Sequence, residues 1–273
     1  MKPIFFLILS IAFSFNSKAF SLSGLIVDKN NSSAITYANV GVVGKGVGTV
    51  TDETGRFTLN LHDSLKNSVL RISYIGYKSQ NFPVSELLNG PAERKFLLEE
   101  NLFELGQVVI RPKVYKTKVL GNTNNSSFAL AGFKSNDLGS ELGTIMKIRK
   151  SPTFIENVNF NIGRNNLDSI IFRMNIYSMK NGQPDSILLK EPIYVTLYTK
   201  SGTLSVDLKK YSLRTTTDFF VSLEWIKDYG INNIYFCAGL MDSNSMFRKT
   251  SQDKWEKSTP VGIGFNSTVT YEK

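Results

Sequence analysis

Hydrophobic and polar residues alternate with a period of two along most of the chain, as in strands that bury one face. Leu25 and Val27 alternate within residues 24–28, Phe57 and Leu59 follow a polar turn, and Val69, Leu70, Ile72 and Tyr74 form a further run. The second half is patterned more sharply. Val158, Phe160 and Ile162 share one face, and so do Ile170, Phe172, Met174 and Ile176. Val195 and Leu197, then Phe219, Val221, Leu223 and Trp225, then Ile234, Phe236, Ala238 and Leu240, and finally Ile263, Phe265, Ser267 and Val269 repeat the pattern. Turn residues separate these runs at short intervals, which predicts an all-β protein of β-sandwich type. Eight or nine strands are expected in the second half, and residues 138–146 are the one stretch read as a short helix.

Turn chemistry supports the strand assignment in the first half. Residues 28–33 form a polar turn, and Asp52-Glu53-Thr54-Gly55 predicts a tight turn in which Gly55 takes a positive φ. Gly44, Gly46 and Gly48 are spaced like a phosphate-binding loop but lack its strand-loop-helix setting, so they read as a β-turn or bulge. The strings GLIVD (24–28), ANVGVVGKGVGTVTDETGRFTLNL (38–61), LRISYIGYKSQ (70–80) and LGQVVI (105–110) together resemble the carboxypeptidase-regulatory-like domain. That resemblance covers nearly all of residues 22–112 and implies a prealbumin-type sandwich of seven strands. It carries no peptidase chemistry, and it points to Bacteroidota, where such domains commonly precede the plug of outer-membrane transporters. The rest of this chain is far too short for a transporter barrel. Residues 127–273 resemble uncharacterised C-terminal sandwich regions of envelope proteins, for which a jelly-roll-like sandwich is expected.

The ends and the composition set the compartment. Lys2, the apolar run from Ile4 to Phe15 and the small residues at Ser17 and Ala19 predict a signal peptide over residues 1–19, with Ser21 the second candidate for its end. The run is too short to span a bilayer, so no transmembrane segment is expected after cleavage. The expected organisation is a signal at 1–19, a sandwich at 20–112, a linker at 113–126 and a second sandwich at 127–273. The location follows as exported: periplasmic, outer-membrane-associated or extracellular. Cys237 is the only cysteine, so no intramolecular disulfide can form. The net charge of +9 is uneven, because residues 113–273 carry 21 Lys/Arg against 14 Asp/Glu, while residues 20–112 are balanced. On an exported protein a basic half points to lipopolysaccharide phosphates or acidic glycans rather than nucleic acid.

Candidate chemistry is sparse. The single histidine, His62, cannot supply the two-histidine zinc set of a carboxypeptidase, and it lies in a polar loop. Cys237 has no histidine near it in sequence to activate it as a nucleophile. Glu156, Asp168, Glu224 and Asp242 are the carboxylates available to a glycan hydrolase, but none lies in a motif, and Glu224 alternates with buried positions in a way that points it to solvent. Residues 165–168 and 242–244 are oxygen-rich loops without the spacing of a calcium-binding loop. No cofactor and no metal are expected. The candidate ligand-binding residues are Arg248, Lys249, Lys254 and Trp255, which put three cations and a large aromatic on one stretch suited to sugar rings and their acidic substituents. These features predict a non-enzymatic, exported cell-envelope binding module for a glycan, lipopolysaccharide or an envelope protein. The alternatives are a structural or assembly partner of an outer-membrane transporter or adhesive complex, and a carboxylate-based glycan hydrolase.

Overall fold

The computed structural model describes residues 19–91, 93–101, 115–133, 137–230, 234–240, 242 and 244–273. The expected signal segment up to residue 18, the LGQVVI strand and the start of the expected linker lie outside the described residues. What is described is all-β, with one five-residue α-helix at Val84–Leu88.

Two sheets of three and four strands form the N-terminal sandwich. Ala19–Asp28 lies at the centre of the first, antiparallel to Arg56–His62 and parallel to Glu93–Leu98. The second runs Val47–Val50, Asn39–Val42, Val69–Ser73, Gln80–Pro83. Strict alternation in Arg56–His62 sends Phe57, Leu59 and Leu61 inward, where they meet Leu22, Ile26, Val40, Val42, Leu70, Ile72 and Phe96. The predicted turn at 52–55 is present. Asp52 Oδ1 accepts from Thr54 N at 2.8 Å and Arg56 N at 2.9 Å, and Gly55 has φ +77°, with any Cβ there 2.8 Å from Ile26 O. Thr51, fully buried, closes the same corner: its hydroxyl accepts from Ala38 N and donates to Ile35 O, both at 2.7 Å. Thr51→Val keeps the shape but loses both bonds, so a cost of about 2 kcal/mol in urea unfolding is expected.

The C-terminal residues build two larger antiparallel sheets around a second core. One sheet runs Gln183–Ile187, Ile170–Lys180, Phe219–Trp225, Glu141–Met146, Ser245–Arg248, Glu256–Lys257, with Ile193–Leu197 also paired to Ile170–Lys180. The other is built on Thr153–Asn165, flanked by Phe265–Glu272 and Ile234–Leu240. Phe160, Phe172, Phe236, Phe265 and Trp225 fill the space between them, with Phe160 and Phe265 edge to face at 4.7 Å.

Four details differ from the expectations. Residues 138–146 hold no helix: Glu141–Met146 is a strand hydrogen-bonded on both sides, to Phe219–Trp225 and Ser245–Arg248, and that pairing overrides any local helical spacing. Within the stretch expected to be a linker, Tyr115–Gly121 instead forms an edge strand against Phe265–Glu272. Leu240, placed inward by the alternation, is 61% exposed at the end of its strand. The two C-terminal sheets contain fifteen strand segments among the described residues, because long strands such as Thr153–Asn165 take several short partners along their length.

Candidate functional site

Three neighbouring strands of the C-terminal sheet carry one charged residue each on the face turned away from the C-terminal core, and a fourth extends the row. The register aligns them: Arg173 is opposite Glu224, Glu224 opposite Glu141, and Glu141 opposite Arg248. The result is a ladder of charges, plus, minus, minus, plus, across four strands. All four residues are buried, with exposures of 1%, 0%, 0% and 8%.

Like charges directly opposite one another in a sheet repel, so the two central glutamates require the flanking guanidiniums. Arg173 donates from Nε and Nη2 to Glu224 Oε2 at 3.0 and 2.8 Å. Arg248 Nη2 lies 2.6 Å from Glu141 Oε2. Asn175 bridges the carboxylates, its Nδ2 donating to Glu141 Oε1 at 2.9 Å and to Glu224 Oε2 at 2.7 Å, while Tyr177 and Ser222 hydroxyls also donate to Glu141. Burial, with the Glu224 charge adding to it, pushes the Glu141 carboxyl above its usual range against the pull of Arg248. Burial and the adjacent Glu141 likewise raise the Tyr177 phenol well above its usual value.

The N-terminal sandwich covers this ladder. Arg173 Nη1 donates to Tyr37 O at 2.6 Å and Nη2 to Asn39 Oδ1 at 2.9 Å; Ser251 Oγ reaches the same Asn39 oxygen at 2.9 Å. Gly41 and Gly48 are opposite each other in the Asn39–Val42 and Val47–Val50 pair, and the backbone around Ser251 rests on them. A Cβ at Gly41 would stand 2.2 Å, and one at Gly48 2.4 Å, from Ser251 O. Gly44 N donates to Gln252 O at 2.9 Å and Gly46 N to Asp253 Oδ1 at 2.9 Å, so the glycines read as a β-turn or bulge form a docking surface for residues 250–253. An apolar patch of Tyr37, Val50, Ile226, Leu138 and Ile171 completes the contact.

Beside this contact a cleft of about 460 Å³ opens between the two sandwiches. The N-terminal wall includes Arg71, Tyr74 and Tyr77; the C-terminal wall includes Asn175, Tyr177, Arg248 and Trp255. Tyr74 and Tyr194 hydroxyls meet across the two halves at 3.0 Å. Among the described residues two buried polar atoms of cleft residues have no hydrogen-bond partner: Asn175 Oδ1 and Arg248 Nε. Buried polar atoms are rarely left in that condition, because each costs the desolvation of the group without compensation.

The four residues expected at a binding loop divide. Trp255 is half-buried, edge-on to Phe220 at 4.9 Å and Tyr177 at 5.7 Å, with the Arg248 guanidinium 4.9 Å over its ring. Arg248 and Trp255 are thus together in the cleft wall. Lys249 stays exposed, 3.6 Å from Glu256, and Lys254 is exposed beside Gly44, so neither joins them in the wall. The expectation that Glu224 points to solvent is overturned: its face is covered, by the N-terminal sandwich at its partner Arg173 and by Trp255 and Tyr177 at Phe220, and every residue of Phe219–Trp225 is buried. Glu156 hydrogen-bonds Thr270 and Asp168 pairs with Lys200, so the carboxylates considered for hydrolysis do not converge. Glu224 converges instead with Glu141. Among the described residues no group of three or more His, Cys, Asp or Glu could hold a metal ion. Burial raises the Cys237 thiol above its usual value.

Arg173, Asn175, Tyr177 and Glu141 went unnoticed in the sequence because alternation assigns a face without saying what lies over it. A signal was present: the second face of these strands carries Ile171 and Phe220 beside the charged residues, a mixture expected where both faces are covered.

The architecture is that of an all-β protein with two packed β-sandwich cores and a cleft between them. Residues 22–110, which include the N-terminal sandwich, match the family model of the CarboxypepD_reg-like domain. No curated protein matches the sequence. Among solved structures the chain is similar to the cysteine protease and lectin-like domains of Cwp84, a surface layer associated protein of Clostridium difficile. The identity is 9%, over 90% of this chain and 62% of that one, with a TM-score of 0.43. It is also similar to BcpA, the major pilin subunit of Bacillus cereus, at 10% identity over 90% of this chain and 69% of that one, with a TM-score of 0.19. Among the described residues no helix is long and apolar enough to cross a membrane.

Proposed function

We propose that the chain is an exported, non-enzymatic cell-envelope binding module that takes a glycan in the cleft between its sandwiches. The observation that carries this reading is the pair of buried, unpartnered polar atoms, Asn175 Oδ1 and Arg248 Nε, among Tyr74, Tyr77, Tyr177 and Trp255. Aromatic rings cover the apolar faces of sugars, and a few convergent polar groups fix their orientation. Export is supported by the apolar segment at the N-terminus. A hydrolytic role for the paired glutamates behind the cleft wall is disfavoured by their state. Glu141 and Glu224 are fully buried and each is bound to an arginine, whereas a general acid must reach the bond it protonates.

Binding of the mature protein to a glycan and lipopolysaccharide array at two salt concentrations tests the reading. Trp255→Ala is expected to weaken the captured glycan by at least about tenfold, the loss of one aromatic platform. Lys249→Ala and Lys254→Ala, outside the cleft wall, are expected to leave it unchanged. Full binding by a folded Trp255→Ala protein would remove the cleft from consideration. An assembly role draws support from Phe128, 90% exposed, and Leu240, 61% exposed, on or beside neighbouring strands. In that case a stoichiometric envelope-protein partner would be lost with Phe128→Glu while glycan binding stayed at zero.

A further inference from the structure

The cleft also carries information about which glycans it accepts, an inference that rests on the reading just given. The two unpartnered atoms are of opposite kind. Asn175 Oδ1 can only accept a hydrogen bond, and Arg248 Nε–H can only donate one. A ligand that satisfies both must present a donor and an acceptor to one sheet face, on two strands separated by Phe219–Trp225 and Glu141–Met146. Sugar hydroxyls do both. A carboxylate, sulfate or doubly ionised phosphate has no proton to give to Asn175.

Arg248 and Arg173 are also poorly placed to hold an anion, and Arg71 keeps only its end-on mode. Either bidentate mode of a guanidinium on a carboxylate or phosphate uses Nη2. In Arg248 that nitrogen is committed to Glu141 at 2.6 Å and to the Tyr177 hydroxyl at 3.3 Å. Arg173 has Nε, Nη1 and Nη2 all engaged by Glu224, Tyr37 and Asn39. Arg71 directs Nε to Asn81 Oδ1 at 2.9 Å. Around the cleft these three cations stand against four carboxylates: Asp185 and Asp253 in its wall, with Glu141 and Glu224 directly behind. The local field therefore does not favour an incoming anion, although the C-terminal half as a whole is basic.

We propose that the cleft selects an uncharged sugar with two free hydroxyls, one donating to Asn175 Oδ1 and one accepting from Arg248 Nε, and that it discriminates against uronic acids and against sulfated or phosphorylated sugars. The basic surface of the C-terminal half then plays no part in ligand choice.

Isothermal titration of the mature full chain with neutral hexose oligosaccharides, their uronate and sulfate counterparts, and singly deoxygenated methyl hexopyranosides tests this. The expected result is binding of a neutral sugar that changes less than about twofold between low and physiological salt, because no net charge is neutralised. Removal of either of two particular hydroxyls should weaken it by at least about tenfold, since a buried protein atom is then left unpaired. Trp255→Ala should remove it. If uronates or sulfated sugars bind more tightly than the neutral ones, in a manner that Trp255→Ala abolishes, the selectivity is wrong while the cleft remains the binding site. Neutral-sugar binding that survives Trp255→Ala in a folded protein overturns both the cleft and its selectivity. Absence of binding to every sugar overturns the glycan reading itself.

Discussion

Replacing Arg173 by alanine is expected to lower the stability of the protein by about 3–5 kcal/mol, measured by urea unfolding, because it leaves a buried carboxylate uncompensated. Arg173 is 1% exposed and supplies four hydrogen bonds, two to Glu224 and one each to Tyr37 O and Asn39 Oδ1. Without it Glu224 faces Glu141 with only Asn175 between them, and only Glu141 keeps an arginine beside it. For a chain of this size the loss corresponds to a fall in Tm of roughly 6–20 °C. The compensating experiment is the double variant Arg173→Met, Glu224→Leu, which removes both charges and fills the volume. It is expected to recover most of the loss, since a buried ion pair exchanged for apolar side chains is often neutral in stability. If the single and double variants are equally unstable, packing and not charge compensation explains the position.

Gly41→Val should have the second largest effect, of a different kind. The N-terminal core lies on the other side of this strand, with Val40 and Val42 inside it, so the sandwich itself can fold with a valine at 41. The conflict is with the backbone carbonyl of Ser251, 2.2 Å from where the new Cβ would stand, and a backbone atom cannot rotate away. A cost of about 3 kcal/mol, at the upper end for overpacking, falls on the contact between sandwiches. Two unfolding transitions in place of one would show that the halves have separated. Gly182→Val, where nothing lies within 4 Å of the Cβ, is the comparison: its φ of +73° adds a backbone strain that Gly41 does not carry, but it meets no partner, so it should destabilise without separating the halves.

Much of the fold could be read from the chain because it depends on short-range rules. Phe57, Leu59 and Leu61 alternate toward one core, Gly55 marks its turn, and Phe172, Met174 and Ile176 alternate toward the other. What could not be read depends on what each face meets. Gly41 and Gly48 look like loosening residues until the segment at 250–253 is seen resting on them. Glu224 obeys the alternation and lies on the face opposite Leu223, but that face is covered and not wet. Arg248 and Trp255 were legible as a cation beside an aromatic. The carboxylate that neutralises Arg248 comes from Glu141, more than a hundred positions away, in a stretch that looked helical. Tyr115–Gly121 was hidden for a similar reason: an edge strand rich in lysine has the composition of a connector until its partner at the C-terminus is known.

The division of the cleft walls between two independently cored halves has a thermodynamic corollary. A ligand that touches both walls binds only the docked arrangement, so its apparent dissociation constant contains the docked fraction as a divisor. A variant docked half of the time would bind about twofold more weakly without any change to the atoms that contact the sugar. By the same linkage, ligand present at about one hundred times its dissociation constant holds the halves together with roughly 2.7 kcal/mol of added free energy. A ligand bound across both walls would then act as a clamp on the molecule, and a force that pulls the two sandwiches apart would release it.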